Sequence, residues 1–173
     1  MNKFALTFVI ILITGLAISG QKPAATDADE KAVRERFEDL IRGIENSSVD
    51  GVTDVYWKSE NTLYFNNNGT VTRGWEQDRK NREARYPKAS KVKLEINDLR
   101  VTMLGSTGAL VTCLWKQSQD FDSQAEAATG RMTLVFKKFG KDWKIIHLHT
   151  SPDRPDPSRI APSERERIED SKQ

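Results

Sequence analysis

The chain has little of what usually builds cross-links or metal centres: one cysteine, Cys113, and two histidines, His147 and His149. A single cysteine excludes an intrachain disulfide, so stability has to come from packing, and Cys113 reads as a small buried hydrophobe. His147 and His149 are two apart and share a strand face, but a zinc site needs three or four protein ligands. No metal is expected, and no cofactor motif is found, so none is expected either. Charge of one sign is also scarce. A formal net charge of +2 lacks the basic footprint of a nucleic-acid partner or an acidic membrane surface. Long apolar runs are absent but for one of about 15 residues, short of the ~20 that span a bilayer. Proline is rare before residue 152; four of the six prolines lie from Pro152 onwards.

That one run identifies the N-terminus. Met1-Asn2-Lys3 is a short positive start, Phe4 to Ile18 is almost wholly apolar, and small residues follow at Ser19 and Gly20. This is the pattern of a cleaved secretory signal. Residues 1–20 are therefore expected to be removed, giving a secreted or periplasmic protein with no stable membrane anchor after cleavage. No cysteine stands near the cleavage point, which argues against a lipid anchor. About 150 residues remain, enough for one domain with a real core. Residues 21–28 read as a polar linker and 29–151 as the domain. Residues 152–173, proline-rich and densely charged, read as a disordered polar tail.

The middle divides into helices first and strands afterwards, an α+β pattern. Asp27 with Glu30 suggests a capping box, and Val33, Phe37, Leu40, Ile41 and Ile44 follow at helical spacing. A second helix is expected over Ser48–Trp57. Thr62–Phe65 and Thr70–Thr72 flank Asn66-Asn67-Asn68-Gly69, a hairpin turn that tolerates positive φ. Trp75–Tyr86 reads as a third helix ended by Pro87. Strands are then expected over 91–104, with a bend at Asn97-Asp98, and over 109–117, 131–138 and 143–150, with a loop over 118–129.

The closing stretch GRMTLVFKKFGKDWKIIHLHTS, Gly130 to Ser151, resembles the last hairpin of SnoaL-like domains. It is similar also to the association domain of calcium/calmodulin-dependent protein kinase II. An aromatic strand, a glycine turn, Trp, two apolar positions, His-x-His and Ser are the shared marks. The order of elements from Ala32 to Ser151 matches as well. The resemblance implies a cone-shaped nuclear-transport-factor-2-like fold: three N-terminal helices packed on a curved antiparallel sheet, a cavity between them, and a homodimer.

Strand alternation then sorts the faces. Met132, Leu134 and Phe136, joined by Ile146, Leu148 and Thr150, are expected to line the concave side, as are Val111, Cys113 and Trp115. Arg131, Thr133, Val135, Trp143, Ile145, His147 and His149 are expected on the convex side, as a subunit interface. Asp78 and Arg82 share a helical face and would point into the cavity mouth, with Trp57, Tyr64, Trp75 and Trp115 as an aromatic wall. Where the kinase association domain carries cavity arginines, the matching positions here are Trp115, Leu134 and Thr150, so an anionic ligand of that type is not expected. The leading expectation is an exported, dimeric domain that binds a small, largely apolar molecule without catalysis. An isomerase, cyclase or hydrolase is the alternative, with Asp78 as acid or base and Arg82 or Tyr64 orienting the substrate. A homo-oligomeric assembly module is the third reading.

Overall fold

A computed structural model describes residues 24–164 apart from 155, 157 and 159. The expected signal segment, most of the linker and the end of the tail lie outside the described residues. Helix α1 is Asp27–Glu45, α2 Val49–Thr53 and α3 Trp75–Arg85, the last running into a 3-10 turn at Tyr86–Lys88. The strands are β1 (Leu63–Phe65), β2 (Val71–Arg73), β3 (Ala89–Met103), β4 (Gly108–Phe121), β5 (Gln124–Phe139) and β6 (Asp142–Pro152). They form one curved, unclosed sheet in the order β2-β1-β6-β5-β4-β3. Every neighbouring pair is antiparallel except β1 with β6. Among the described residues no helix is long and apolar enough to cross a membrane.

Helix α1 lays Val33, Phe37 and Leu40 on the sheet. Its cap is one residue earlier than the sequence suggests: Thr26 and Asp29, not Asp27 and Glu30, form the capping box. The reason lies across the fold. Asp29 also accepts from Lys138 of β5 at 2.5 Å, so the capping carboxylate ties the helix start to the sheet. That bond first, then those from Thr26, lowers the Asp29 pKa from 3.8 to about 2. A carboxylate so depressed adds stability above its ordinary pKa, and the contribution is lost as pH falls through about 2. Lys138→Met is expected to move the Asp29 midpoint back up towards 3.8, read by carboxyl carbon NMR. An unmoved midpoint would assign the whole effect to Thr26.

Three other expectations are corrected. Helix α2 spans five residues, not ten, because the chain after Thr53 is taken up by the sheet. Trp57 donates its N–H to Ile145 O at 2.9 Å and Ile145 donates to Val55 O at 3.0 Å, a parallel bridge incompatible with a helix. Residues 118–129 are not a loop. The β4–β5 pairing runs without a break from Gly108 with Lys137 to Phe121 with Gln124, closed by Asp122 and Ser123 at φ 46° and 67°. This arm is mostly exposed, so no apolar alternation marks it.

The third correction is to the faces of β6. Val135 pairs with His147 but Phe136 with Ile145, so Ile146 is an extra residue and the parity of the strand reverses there. Trp143 and Ile145 therefore point into the core, at 2% and 0% exposure, and Ile146 is not one of the buried residues. The convex face keeps Thr133, His147 and His149 and adds Leu114. At the open edge, β3 carries two register breaks, with Lys91 and Asp98 at positive φ. The backbone N–H of Leu94 on that strand donates to Glu45 Oε1 of α1 at 3.1 Å.

Candidate functional site

Helix α3 is placed by its first residues. Gly74 adopts φ 81°, open to glycine without penalty, and its N–H reaches Thr62 O at 2.8 Å. Trp75 N–H reaches Ser59 O at 2.9 Å. These bonds fix the helix so that Asp78, Arg82 and Tyr86, spaced at four, turn together towards the sheet. Arg82 Nε donates to Asp78 Oδ2 at 2.7 Å and Arg82 Nη1 to Tyr86 Oη at 2.7 Å. The Asp78 and Arg82 side chains are 9% and 16% exposed, so water screens this pair far less than a surface pair.

Two more phenols complete the cluster. The Arg82 guanidinium lies 5.8 Å from the Tyr56 ring centre, and Tyr56 packs on Tyr64 at 4.9 Å. The Tyr64 hydroxyl is buried and finds no partner among the described residues. Burial, and after it the Asp78 charge, pushes the Tyr64 phenol well above its ordinary range. Burial also raises Tyr56 against the opposing pull of Arg82. Both remain protonated donors at neutral pH. Burial works against the Arg82 cation, but Asp78 first and then Tyr86 and Tyr56 outweigh it, so its pKa rises.

The sheet beneath is organised in rows. Val111, Leu134, Leu148, Tyr64 and Thr72 stand side by side across five strands, all buried. Cys113 lies one row on, beside Met132 and Thr150, its thiol pushed up to about 11 by burial and so unreactive. Beyond it Trp115 faces Gly130. There the interior opens into a cleft of about 270 Å³, lined by Asn67, Arg85, Trp115, Gln117, Gln119 and Glu126 among others.

The structure thus brings Asp78, Arg82 and Tyr64 together, and sets Leu134, Leu148 and Cys113 in the packed floor with Trp115 at the mouth. Trp57 and Trp75 go elsewhere. Trp57 stacks on Phe139 at 5.1 Å and lines a surface cleft with Trp75, Lys58 and Lys144. The Trp75 indole N–H closes on Thr53 O at 2.8 Å, which clamps α3 to α2. His147 and His149 pack edge-on against Phe65, at 5.1 and 5.5 Å. Among the described residues no three histidine, cysteine or carboxylate groups gather as metal ligands. Asn67, Arg85, Gln117, Gln119 and Glu126 are cleft residues that sequence reasoning misses; the hairpin turn, the last turn of α3 and the exposed arm that carry them give no hydrophobic signal.

Sequence comparison adds a family to this architecture: the model of the SnoaL-like domain matches residues 33–155. This chain belongs to the SnoaL-like domain family. Solved structures share its fold. A nuclear transport factor 2-like superfamily protein from Salmonella enterica serovar Typhimurium is 21% identical, with a TM-score of 0.70 over 79% of this chain and 100% of its own. A protein proposed as a calcium/calmodulin-dependent protein kinase II association domain, from Xanthomonas campestris, is 22% identical, with a TM-score of 0.63 over 79% and 96%. A proposed dehydratase of the same fold from Streptomyces avermitilis is 16% identical, with a TM-score of 0.67 over 75% and 99%. At these identities the likeness of the SnoaL-like domain to them is one of fold. No curated protein matches it in sequence.

Proposed function

We propose that this SnoaL-like domain is an exported, dimeric binding protein that takes a small, largely apolar molecule into the mouth of its cone and does not transform it. The observation that carries the reading is the cleft of about 270 Å³ in which Trp115 and two alanines stand among polar side chains. Trp115, Ala127 and Ala128 give it apolar surface and Asn67, Gln117 and Gln119 give it placed polar groups, the combination by which a small-molecule site holds and orients its ligand. Catalysis by Asp78 is the weaker reading because its carboxylate is already committed to Arg82 at 2.7 Å. A general base has to be free to reach the proton it abstracts. Pairing of two copies is supported by the convex side, where Leu114 is 47% and Phe65 36% exposed beside His147 and His149. The earlier expectation that Trp143 and Ile145 supply that contact no longer applies.

One experiment addresses the three parts. The full chain is expressed with its own N-terminal segment, recovered from the periplasm and examined by native mass spectrometry. The expected species is a dimer of chains shortened by about 20 residues that releases a small molecule on activation. Full-length chains overturn export, and a monomer at high concentration overturns pairing. Protein that carries no small molecule and takes up no Nile red on incubation overturns binding.

A further inference from the structure

Two residues that line the cleft at the mouth each carry a buried polar atom with no partner among the described residues. Trp115 is 8% exposed, and its indole Nε1–H finds no acceptor among the described residues. The Asn67 Oδ1 is buried and finds no donor among the described residues. Both residues line the same cleft. Their chemistry is opposite and fixed: an indole N–H only donates, and an amide oxygen only accepts. Buried groups of this kind normally have partners, and an unmet one is costly. The indole is also held in place. A Cβ on Gly130 would lie 2.6 Å from Trp115 Cζ2, so only glycine leaves room for the ring over β5.

The charges around the cleft cancel in pairs. Arg85 stands 3.8 Å from Glu126, and Arg82 is paired with Asp78. Gln117 donates to Gln119 at 2.8 Å, and Gln119 donates to Glu126. An anion entering here would meet the Glu126 carboxylate, and the Arg85 guanidinium that also lines the cleft already faces that carboxylate.

We propose that the cone mouth selects an uncharged molecule with an apolar ring body and an amide or hydroxyl head. Trp115 Nε1–H donates to the head and Asn67 Oδ1 accepts from it. This rests on the binding reading above and names the class of ligand for that site. An amide or a hydroxyl offers an acceptor and a donor on one small group, which matches the two unmet atoms. A carboxylate offers acceptors only and brings a charge.

The test is a titration of the exported chain with 2-naphthamide, 2-naphthoate and naphthalene, followed by proton–nitrogen correlation NMR. The Trp115 indole resonance is identified by its loss in Trp115→Phe. The amide is expected to bind about tenfold or more tightly than the carboxylate and to shift the Trp115 N–H. Asn67→Ala, a change in a surface turn, should weaken the amide about tenfold and leave naphthalene unaffected. Should Trp115→Phe fail to fold, the indole shift in the parent and the Asn67→Ala comparison decide alone. Equal or tighter binding of naphthoate, or amide binding that ignores Asn67→Ala, overturns this inference while the cone remains a binding site. If none of the three probes binds, the binding reading falls, and this one with it.

Discussion

Replacing Arg82 with methionine is expected to lower the unfolding free energy by about 3 kcal/mol, because it strands a buried carboxylate. Asp78 is 6% exposed, and among the described residues its carboxylate takes a hydrogen bond from Arg82 Nε alone. Removing the guanidinium also strips Tyr86 of its donor. The double variant Asp78→Leu/Arg82→Met should recover more than half of the loss, since a buried ion pair is often replaceable by apolar groups of similar volume. Urea denaturation of the parent, the single variants and the double variant closes the cycle. A single-variant loss under about 1 kcal/mol would mean that the pair behaves as a solvated one, and the buried polar cluster under α3 would then be the wrong description. A double variant no better than the single one would place the damage in packing rather than in charge.

Gly130→Ala should be comparably severe, at about 3 kcal/mol, for a steric reason. The added Cβ would lie 2.3 Å from the Ser151 carbonyl oxygen and 2.6 Å from the Trp115 ring. The ring can turn aside, but the carbonyl belongs to the β5–β6 pairing of Arg131 with Ser151 and cannot shift without parting the strands. Trp115→Ala added to Gly130→Ala should therefore restore little stability, although it removes the aromatic contact. Thermal unfolding followed by near-ultraviolet circular dichroism reads both effects. An alanine variant as stable as the parent would show that β5 and β6 can separate at this point without loss.

How far the sequence leads depends on which physical code a segment uses. Val33, Phe37 and Leu40 announce α1, and Met132, Leu134 and Phe136 announce the inner face of β5, because burial on one side imprints a period. Asp78 and Arg82 are legible as a pair for the same reason: a helix sets four residues on one face. The code fails where no face is buried. The arm over residues 118–129 is held by backbone hydrogen bonds, and Asp122-Ser123 turns it without the glycine that usually signals such a turn. It fails again at Ile146, where one inserted residue exchanges inside for outside, so that strict alternation assigns Trp143 and Ile145 to the wrong side. The destination of Trp57 and Trp75 is not legible at all. Size and hydrophobicity say that they pack, but Phe139 and the Thr53 carbonyl, far off in sequence, decide where.

The open sheet has a consequence for how this molecule meets its neighbours. An unclosed sheet offers backbone groups to any extended chain, the usual start of amyloid-like growth. Here the long outer strand is a poor template. Lys91 and Asp98 at positive φ break its line twice, and charged side chains crowd it. The Glu45 carboxylate already occupies the N–H of Leu94, one of the groups a newcomer would need. The opposite edge, β2, is three residues long, too short to seed a ladder. Self-association through added strands is thus blocked at both rims, and the surface left for a second copy is the flat of the sheet. A solution of this protein should favour discrete particles over fibres.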